Sequence, residues 1–379
     1  MSERKKEAIM ADTGKRLQFA DMVKGIAVLG VVAYHLLAPC GFKNFILTVT
    51  DCFLITFFFY SGYFYTPGKR TIRESLSVRF RTLMVPFVKW SLFFWLAGSA
   101  YLLLTNEATL FETVCCLRNY FAGMIWNRQI QNLFSWNYYR LGSRYTFLAG
   151  MWFLPAMMFA NVLFIPIAEQ TLKRKYAAVA SVPVLLVLTM VLYYFKVNLP
   201  YNIQMTPFWA SAMLAGTGFR QFHVFETEGV PRARLWLRAI CASAAAIGVC
   251  VFLKKPAYNM FRGVFPEPQV WYIPLTAVCG LVCNYGISLL CRLAEESGMR
   301  VKELAWCGSH SLTIYLLHEF FAWVIFVLTG FTVIRMTSAD AAAILKSILV
   351  CAVSLAFCVA AQTAMDRIRE AKEKRAAKN

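Results

Sequence analysis

The sequence has few charged residues for its length. Only 16% of its 379 residues are Asp, Glu, Lys or Arg, whereas 59% are hydrophobic. Soluble domains carry about 25% charged residues, so this composition excludes an ordinary soluble globular protein. The long uncharged runs indicate instead a chain that crosses a membrane several times.

Three signatures of common chemistry are also missing. The cysteines and histidines show no paired metal-ligand spacing, so the sequence predicts no structural metal site. The absence of a GxSxG elbow argues against a serine nucleophile of the hydrolase type. No repeat relates the two halves of the chain, which argues against a transporter built from repeats.

The basic residues give a net charge of +19 but do not indicate a nucleic-acid partner. They fall in short clusters between the apolar runs, which is the distribution that sets membrane topology. Alternating spans place most clusters on one side, and this bias predicts both termini in the cytoplasm. Residues 2–16 contain no small-residue cleavage site after an apolar core, so the first apolar helix is predicted to be an uncleaved anchor.

Apolar stretches long enough to span a bilayer recur along the whole chain. They predict an all-α, polytopic transmembrane bundle of about ten helices. The expected organisation is a cytoplasmic N-terminal segment (1–18), one transmembrane domain (19–365) and a basic cytoplasmic tail (366–379). The predicted spans are residues 19–39, 45–65, 83–104, 147–168, 176–195, 201–219, 235–253, 270–290, 304–330 and 340–365.

The first predicted span contains three ionisable residues, Asp21, Lys24 and His35. Eleven helical positions make almost three full turns, so Lys24 and His35 share one face, with Asp21 a turn below. The rise between Lys24 and His35 is about 16 Å, roughly half of a bilayer core. Because such groups are costly in a membrane, we interpret His35 as a base for a hydroxyl. A helix–helix hydrogen bond is the structural alternative.

A second polar face lies in the span near residue 315. Ser311, Tyr315 and His318 fall on one side of a helix, and His318 lies at about the same depth as His35. The two histidines are therefore candidates for lining one cavity, although the spacing does not require them to meet. His310 and His223 are interpreted as structural residues.

Three further features allow two interpretations each. Five cations between residues 69 and 81 suit either membrane topology or phosphate binding, and Arg79 and Arg81 would point about 200° apart on a regular helix. Ser61, next to Gly62, is interpreted as structural or substrate-lining. The aromatic-rich segment 105–146 suits an interfacial belt or a sugar-stacking platform.

Five short motifs follow one another along the chain: Asp21-Met-Val-Lys24-Gly25…His35, Phe58-Phe59-Tyr60-Ser61-Gly62, Arg79-Phe-Arg81…Pro86, Trp152-Phe-Leu154 and Ser311…Tyr315-Leu-Leu-His318. In this order they resemble the acyltransferase 3 family of membrane acyltransferases. The resemblance implies transfer of an acyl group, commonly acetyl, from cytoplasmic acyl-CoA to an outside hydroxyl. The usual acceptors are sugars of cell-envelope glycans or lipid-linked sugars, and the expected location is the bacterial cell membrane.

The resemblance also implies site residues. The catalytic histidine of the family corresponds to His35, its basic partner to Lys24, where many members have arginine, and its paired arginines to Arg79 and Arg81. We expect Lys24, Arg79 and Arg81 to bind acyl-CoA, and no metal to take part. The candidates for binding the acceptor or supporting the base are Asp21, Ser61, Trp152, Tyr315 and His318.

Two other functions remain as alternatives. One is a proton-coupled transporter or flippase of a lipid-linked sugar, with His35 and His318 as proton relays. The other is an acyltransferase whose acceptor is not a sugar. The first would act without acyl-CoA, whereas the second would keep the same roles for the site residues.

Overall fold

Every secondary-structure element in the described part of the chain is a helix. The computed structural model describes residues 17–37, 43–105, 109–110, 152–171, 176–197, 199–253, 270–299, 301–329 and 341–376. These residues form eleven α-helices and one 3-10 helix, Pro200–Met205, without a strand. The α-helices are α1 (Gln18–Leu37), α2 (Lys43–Tyr63), α3 (Ile72–Leu104), α4 (Phe153–Thr171), α5 (Ala177–Tyr194), α6 (Thr206–Gln221), α7 (Arg232–Leu253), α8 (Tyr272–Glu296), α9 (Lys302–Ser309), α10 (Ser311–Thr329) and α11 (Ala341–Ala376).

Five helices in the described residues are long and apolar enough to cross a membrane, namely α3, α4, α5, α8 and α11. Shorter apolar helical stretches occur in α2 and α10. The prediction of a helical membrane protein is confirmed at this level, whereas the number of spans and the cytoplasmic termini stay predictions. The aromatic segment that we noted in the sequence lies outside the described residues beyond residue 110.

Helix α3 begins eleven residues before the predicted start of its span at residue 83. A capping box causes the earlier start: the Glu74 backbone N–H donates to Thr71 Oγ1 at 3.2 Å, and the Thr71 N–H donates to Glu74 Oε2 at 2.9 Å. Hydropathy does not register such a cap. The cations Arg73, Arg79 and Arg81 lie between the predicted spans 45–65 and 83–104, and the structure places them on this helix.

The predicted span 304–330 is wrong as a single helix, because the chain breaks at His310 between α9 and α10. The His310 ring stacks on Trp306 at a centroid distance of 4.4 Å, and its Nδ1 lies 3.0 Å from the Trp306 carbonyl oxygen. Beyond the break, the Thr313 hydroxyl donates to Gln362 Oε1 of α11 at 2.5 Å. The run Gly308-Ser-His-Ser311 at the break is short and flanked by apolar residues, so hydropathy alone shows one span.

The core is built from tightly packed helices and aromatic side chains. A Cβ added to Gly62 of α2 would collide with the Met213 carbonyl oxygen of α6, which confirms the close backbone approach expected at that glycine. The Thr217 hydroxyl also donates to the Gly62 carbonyl at 3.1 Å. One turn away, Phe58 stacks on Trp209 with ring centroids 4.3 Å apart. This packing fixes α2 against α6 at the centre of the protein.

Candidate active site

A histidine–glutamate pair joins the first helix to the tenth. His35 Nδ1 of α1 contacts Glu319 Oε1 of α10, across 284 residues of sequence. The pair is largely shielded, because the exposed fractions of the two side chains are 18% and 11%. Glu319 was missed among the predicted site residues. Its signal was an acidic residue in an otherwise apolar helix, the criterion that identified His35.

His318 lies directly beside this pair. Its ring centroid is 5.1 Å from that of His35, and the side chain is fully buried. His318 Nδ1 lies 3.0 Å from the Ile314 carbonyl oxygen one turn earlier, so Nδ1 carries the hydrogen and donates it. Its Nε2 has no hydrogen-bond partner among the described residues. The two histidines therefore meet, which their spacing in the sequence left open.

These three residues present a set of potential metal ligands. The ligand atoms of His35, His318 and Glu319 all lie within 4.8 Å of one another. Two imidazole nitrogens and a carboxylate oxygen form a donor set found in zinc enzymes. Sequence spacing could not reveal the set, because α1 and α10 are far apart along the chain.

Small residues bring these helices together. A Cβ added to Gly25 of α1 would collide with the Leu304 carbonyl oxygen of α9, and one added to Gly308 of α9 would collide with the Asp21 carbonyl oxygen of α1. The two backbones thus cross in direct contact, with a glycine on each side. The break at His310 follows this crossing, and α10 then continues along α1 to bring His318 and Glu319 to His35.

Aromatic rings line one side of the cluster. The Tyr315 ring lies 6.5 Å from that of His318 and 5.3 Å from that of Phe153. Trp152 lies 6.2 Å from both Phe153 and Trp209. The structure therefore places the predicted candidates Trp152 and Tyr315 in one aromatic wall beside the histidines.

The remaining predicted residues of the first two helices lie apart from the histidines. Lys24 Nζ forms an ion pair with the buried Asp21 at 2.7 Å. It also lies 6.0 Å from the centroid of the Phe64 ring, just beyond the end of α2. Ser61 is half-buried on α2, and no hydrogen bond described in the structure joins it to the cluster. Lys24 thus lies at the end of α2 that leads into the cationic segment.

The cationic segment, residues 69–81, remains open to solvent. Arg79 is half-buried, whereas Lys69, Arg70, Arg73 and Arg81 are exposed. Among the described residues, none of these five side chains forms an ion pair with a carboxylate. Arg79 and Arg81 lie on a continuous helix, in keeping with the divergent directions expected from their spacing.

The loop before α3 is braced by Glu169 and Arg220, two residues that sequence reasoning missed. Glu169 accepts hydrogen bonds from the Tyr65 hydroxyl at 2.6 Å and from the Gly68 backbone N–H at 3.2 Å. Arg220 donates to the carbonyl oxygens of Tyr65 at 3.2 Å and Tyr63 at 3.4 Å. Burial raises the pKa of Tyr65 to about 12, and the bond to Glu169 adds to the shift, so the phenol stays a donor at neutral pH.

A family comparison covers all of these residues. The family model described as "Acyltransferase domain", that of acyltransferase 3, matches residues 17–363. The chain belongs to the acyltransferase 3 family. No curated protein and no solved structure matches it. The match extends over nearly the whole acyltransferase chain, from the start of α1 into α11.

The geometry of this acyltransferase suits proton transfer from a hydroxyl. A carboxylate that accepts the N–H at one imidazole nitrogen fixes the tautomer, so that the other nitrogen is free to take a proton. His35 and Glu319 meet this requirement in a largely water-shielded place. No comparable pair was predicted, since the sequence indicated the base alone.

Proposed function

We propose that this acyltransferase is an integral-membrane O-acyltransferase with ten spans and cytoplasmic termini. It transfers an acetyl group from cytoplasmic acetyl-CoA to a hydroxyl of an extracytoplasmic acceptor, a sugar of a cell-surface glycan. The observation that supports this proposal best is the His35–Glu319 pair. Lys24 lies on the same helix about 16 Å nearer the cationic segment.

In the proposed reaction, His35 acts as the general base. Glu319 accepts the Nδ1–H of His35, and Nε2 takes the proton of the acceptor hydroxyl. The oxygen attacks the thioester carbonyl carbon, and the tetrahedral intermediate collapses with cleavage of the C–S bond. The CoA thiolate leaves and receives the proton from His35. No covalent acyl-enzyme is needed.

The separation of cations and base explains why the donor would be acyl-CoA. Arg79 and Arg81 are assigned to the CoA phosphates, because guanidinium groups bind phosphate oxygens in pairs. Lys24 stands at the entrance of the thioester arm. A donor with charges at one end and its reacting group far away needs a long neutral arm between them, and acyl-CoA has this architecture.

The aromatic wall is assigned to the acceptor. The Tyr315 ring lies beside His318, and the wall continues through Phe153 to Trp152. The apolar faces of pyranose rings stack on aromatic rings of this kind. The Tyr315 hydroxyl and His318 would orient the attacking hydroxyl of the sugar. Asp21 and Ser61 support the helices that bear these groups.

Turnover of radiolabelled acetyl-CoA by purified protein in nanodiscs tests the proposal. Wild type should hydrolyse or transfer the acetyl group, and His35→Ala should lose this activity at matched folding. His223→Asn is the matched control, because His223 is exposed just after α6 and outside the cluster. Activity retained in His35→Ala would remove His35 from the mechanism. No binding of acetyl-CoA or longer acyl-CoAs by wild type would favour the transporter.

A further inference from the structure

His318 has a feature that goes beyond its proposed role in orienting the acceptor hydroxyl. The side chain is fully buried, yet its Nε2 has no hydrogen-bond partner among the described residues. A buried polar atom without a partner costs free energy, so it calls for an explanation. His318 belongs to the same cluster as the His35–Glu319 pair, in which one ligand atom of each residue lies within 4.8 Å of the others.

The orientation of His318 is that of a metal ligand. Histidines that bind metals usually donate their other ring N–H to a backbone carbonyl or a carboxylate, which fixes the tautomer and the ring. His318 donates from Nδ1 to the Ile314 carbonyl oxygen at 3.0 Å. Its Nε2 is thereby left with a lone pair inside the cluster.

We propose that His35, His318 and Glu319 form a binding site for a divalent transition metal, with Zn²⁺ as the best match. Two imidazoles and one carboxylate suit Zn²⁺ and leave a fourth position for water or a solute, whereas Mg²⁺ and Ca²⁺ prefer oxygen donors throughout. Zinc binds these atoms at about 2.0–2.2 Å, which places tetrahedral ligand atoms about 3.3–3.6 Å apart. The three side chains, whose ligand atoms lie within 4.8 Å of one another, therefore have to close around the ion.

Metal binding and base catalysis exclude each other at this cluster. A metal on His35 Nδ1 replaces the hydrogen donated to Glu319, and a metal on Nε2 occupies the lone pair that takes the proton. Zn²⁺ therefore inhibits acetyl transfer, and this consequence alone rests on the proposed function. The metal site itself stands on the geometry of the three side chains.

Titration with Co²⁺ tests the site directly on the chelator-treated protein in nanodiscs. We expect one equivalent to produce the visible absorption bands of a tetrahedral ion without a sulfur charge-transfer band, and Zn²⁺ to displace it. His318→Gln and Glu319→Gln should each weaken binding at least about 10-fold. His223→Asn, which removes an exposed histidine outside the cluster, should leave binding unchanged.

X-ray absorption of the Zn²⁺-loaded wild type provides a check that does not depend on the folding of a variant. The expected first shell contains two imidazole nitrogens and oxygen. No Co²⁺ binding by wild type, a sulfur-containing shell, or affinity unchanged in both cluster variants would overturn the proposal.

Acetyl transfer measured in parallel separates this proposal from the proposed function. We expect micromolar Zn²⁺ to inhibit turnover and a chelator to restore it. Metal binding in a protein that turns over no acyl-CoA would keep the metal site and refute the acyl-transfer mechanism. Turnover of acetyl-CoA without any metal binding would keep the acyl-transfer mechanism and refute the metal site.

Discussion

The histidine cluster and the cationic segment are ordered in opposite ways. In the cluster, His35, His318 and Glu319 contact one another and are shielded from solvent. In the cationic segment, the side chains are mostly exposed, and the order lies in the backbone, which Glu169 and Arg220 hold. Proton transfer needs fixed distances between reacting atoms, whereas a charged ligand needs cations that are not already paired within the protein.

The replacement of His35 should have the largest effect on the reaction that is assigned to the histidine cluster. His35→Ala should lower kcat for acetyl transfer about 10³-fold, in the range that a general base contributes, with little change in KM for acetyl-CoA. Steady-state turnover in nanodiscs measures both constants. An equal fall in His223→Asn would contradict the specific role of His35.

Glu319→Gln tests whether the partner of His35 matters for the reaction. The amide keeps the shape but stabilises the imidazolium less, so we expect kcat to fall about 10²-fold. Acetyl-CoA binding, measured by equilibrium dialysis, should stay near the wild-type value. A variant with unchanged kcat would show that the pair only holds α1 against α10.

The double variant Arg79→Ala, Arg81→Ala tests the cationic segment. Charge-assisted hydrogen bonds contribute about 1.5–3 kcal/mol each, so the loss of one bond from each arginine should raise KM for acetyl-CoA at least about 100-fold while kcat changes little. Arg73→Ala is the control, because Arg73 is an exposed cation on the same helix. A KM for acetyl-CoA that stays at the wild-type value in the double variant would mean that these cations serve topology alone.

Gly25→Ala alters the packing of α1 against α9 without changing a residue that is assigned to the reaction. The added methyl would collide with the Leu304 carbonyl, so we expect a loss of about 1–3 kcal/mol of stability and a lower kcat, because α9 and α10 shift against α1. Thermal unfolding and turnover measure these effects. Gly248→Ala, where a Cβ meets nothing within 4 Å, should retain the wild-type Tm and activity.

The smallest effect is expected at the brace, the contacts of Glu169 and Arg220 with the loop before α3. Glu169→Gln weakens the hydrogen bonds to Tyr65 and the Gly68 N–H by about 1 kcal/mol, so KM for acetyl-CoA should rise about fivefold at unchanged kcat. Tyr65→Phe, which removes one of the same bonds, should have a similar effect. A change in kcat in either variant would connect the brace to the chemistry and weaken the separation of the two regions.

The sequence predicted what depends on local pattern and missed what depends on distant partners. Hydropathy located the apolar helices, and helical phasing put His35 and His318 at one depth. Neither hydropathy nor phasing drew attention to Glu319, although this residue follows His318 directly. The start of α3 depends on the Thr71–Glu74 capping box, which a hydropathy window averages away.

The brace and the helix break were harder to foresee. Glu169 is 101 residues from Gly68, and Arg220 is 155 residues from Tyr65. Each binds backbone atoms, which leave no mark in the side-chain pattern. The break at His310 lies in the short run Gly308-Ser-His-Ser311, which a hydropathy window averages with the apolar stretches on either side.

The 284 residues between His35 and Glu319 have a consequence for the synthesis of the protein. A ribosome adds about 5–20 residues per second, so the two partners emerge about 15–60 s apart. During that interval the nascent chain holds His35 without its carboxylate partner. Under the proposed mechanism, translation thus delays the onset of chemistry until most of the helices have been made.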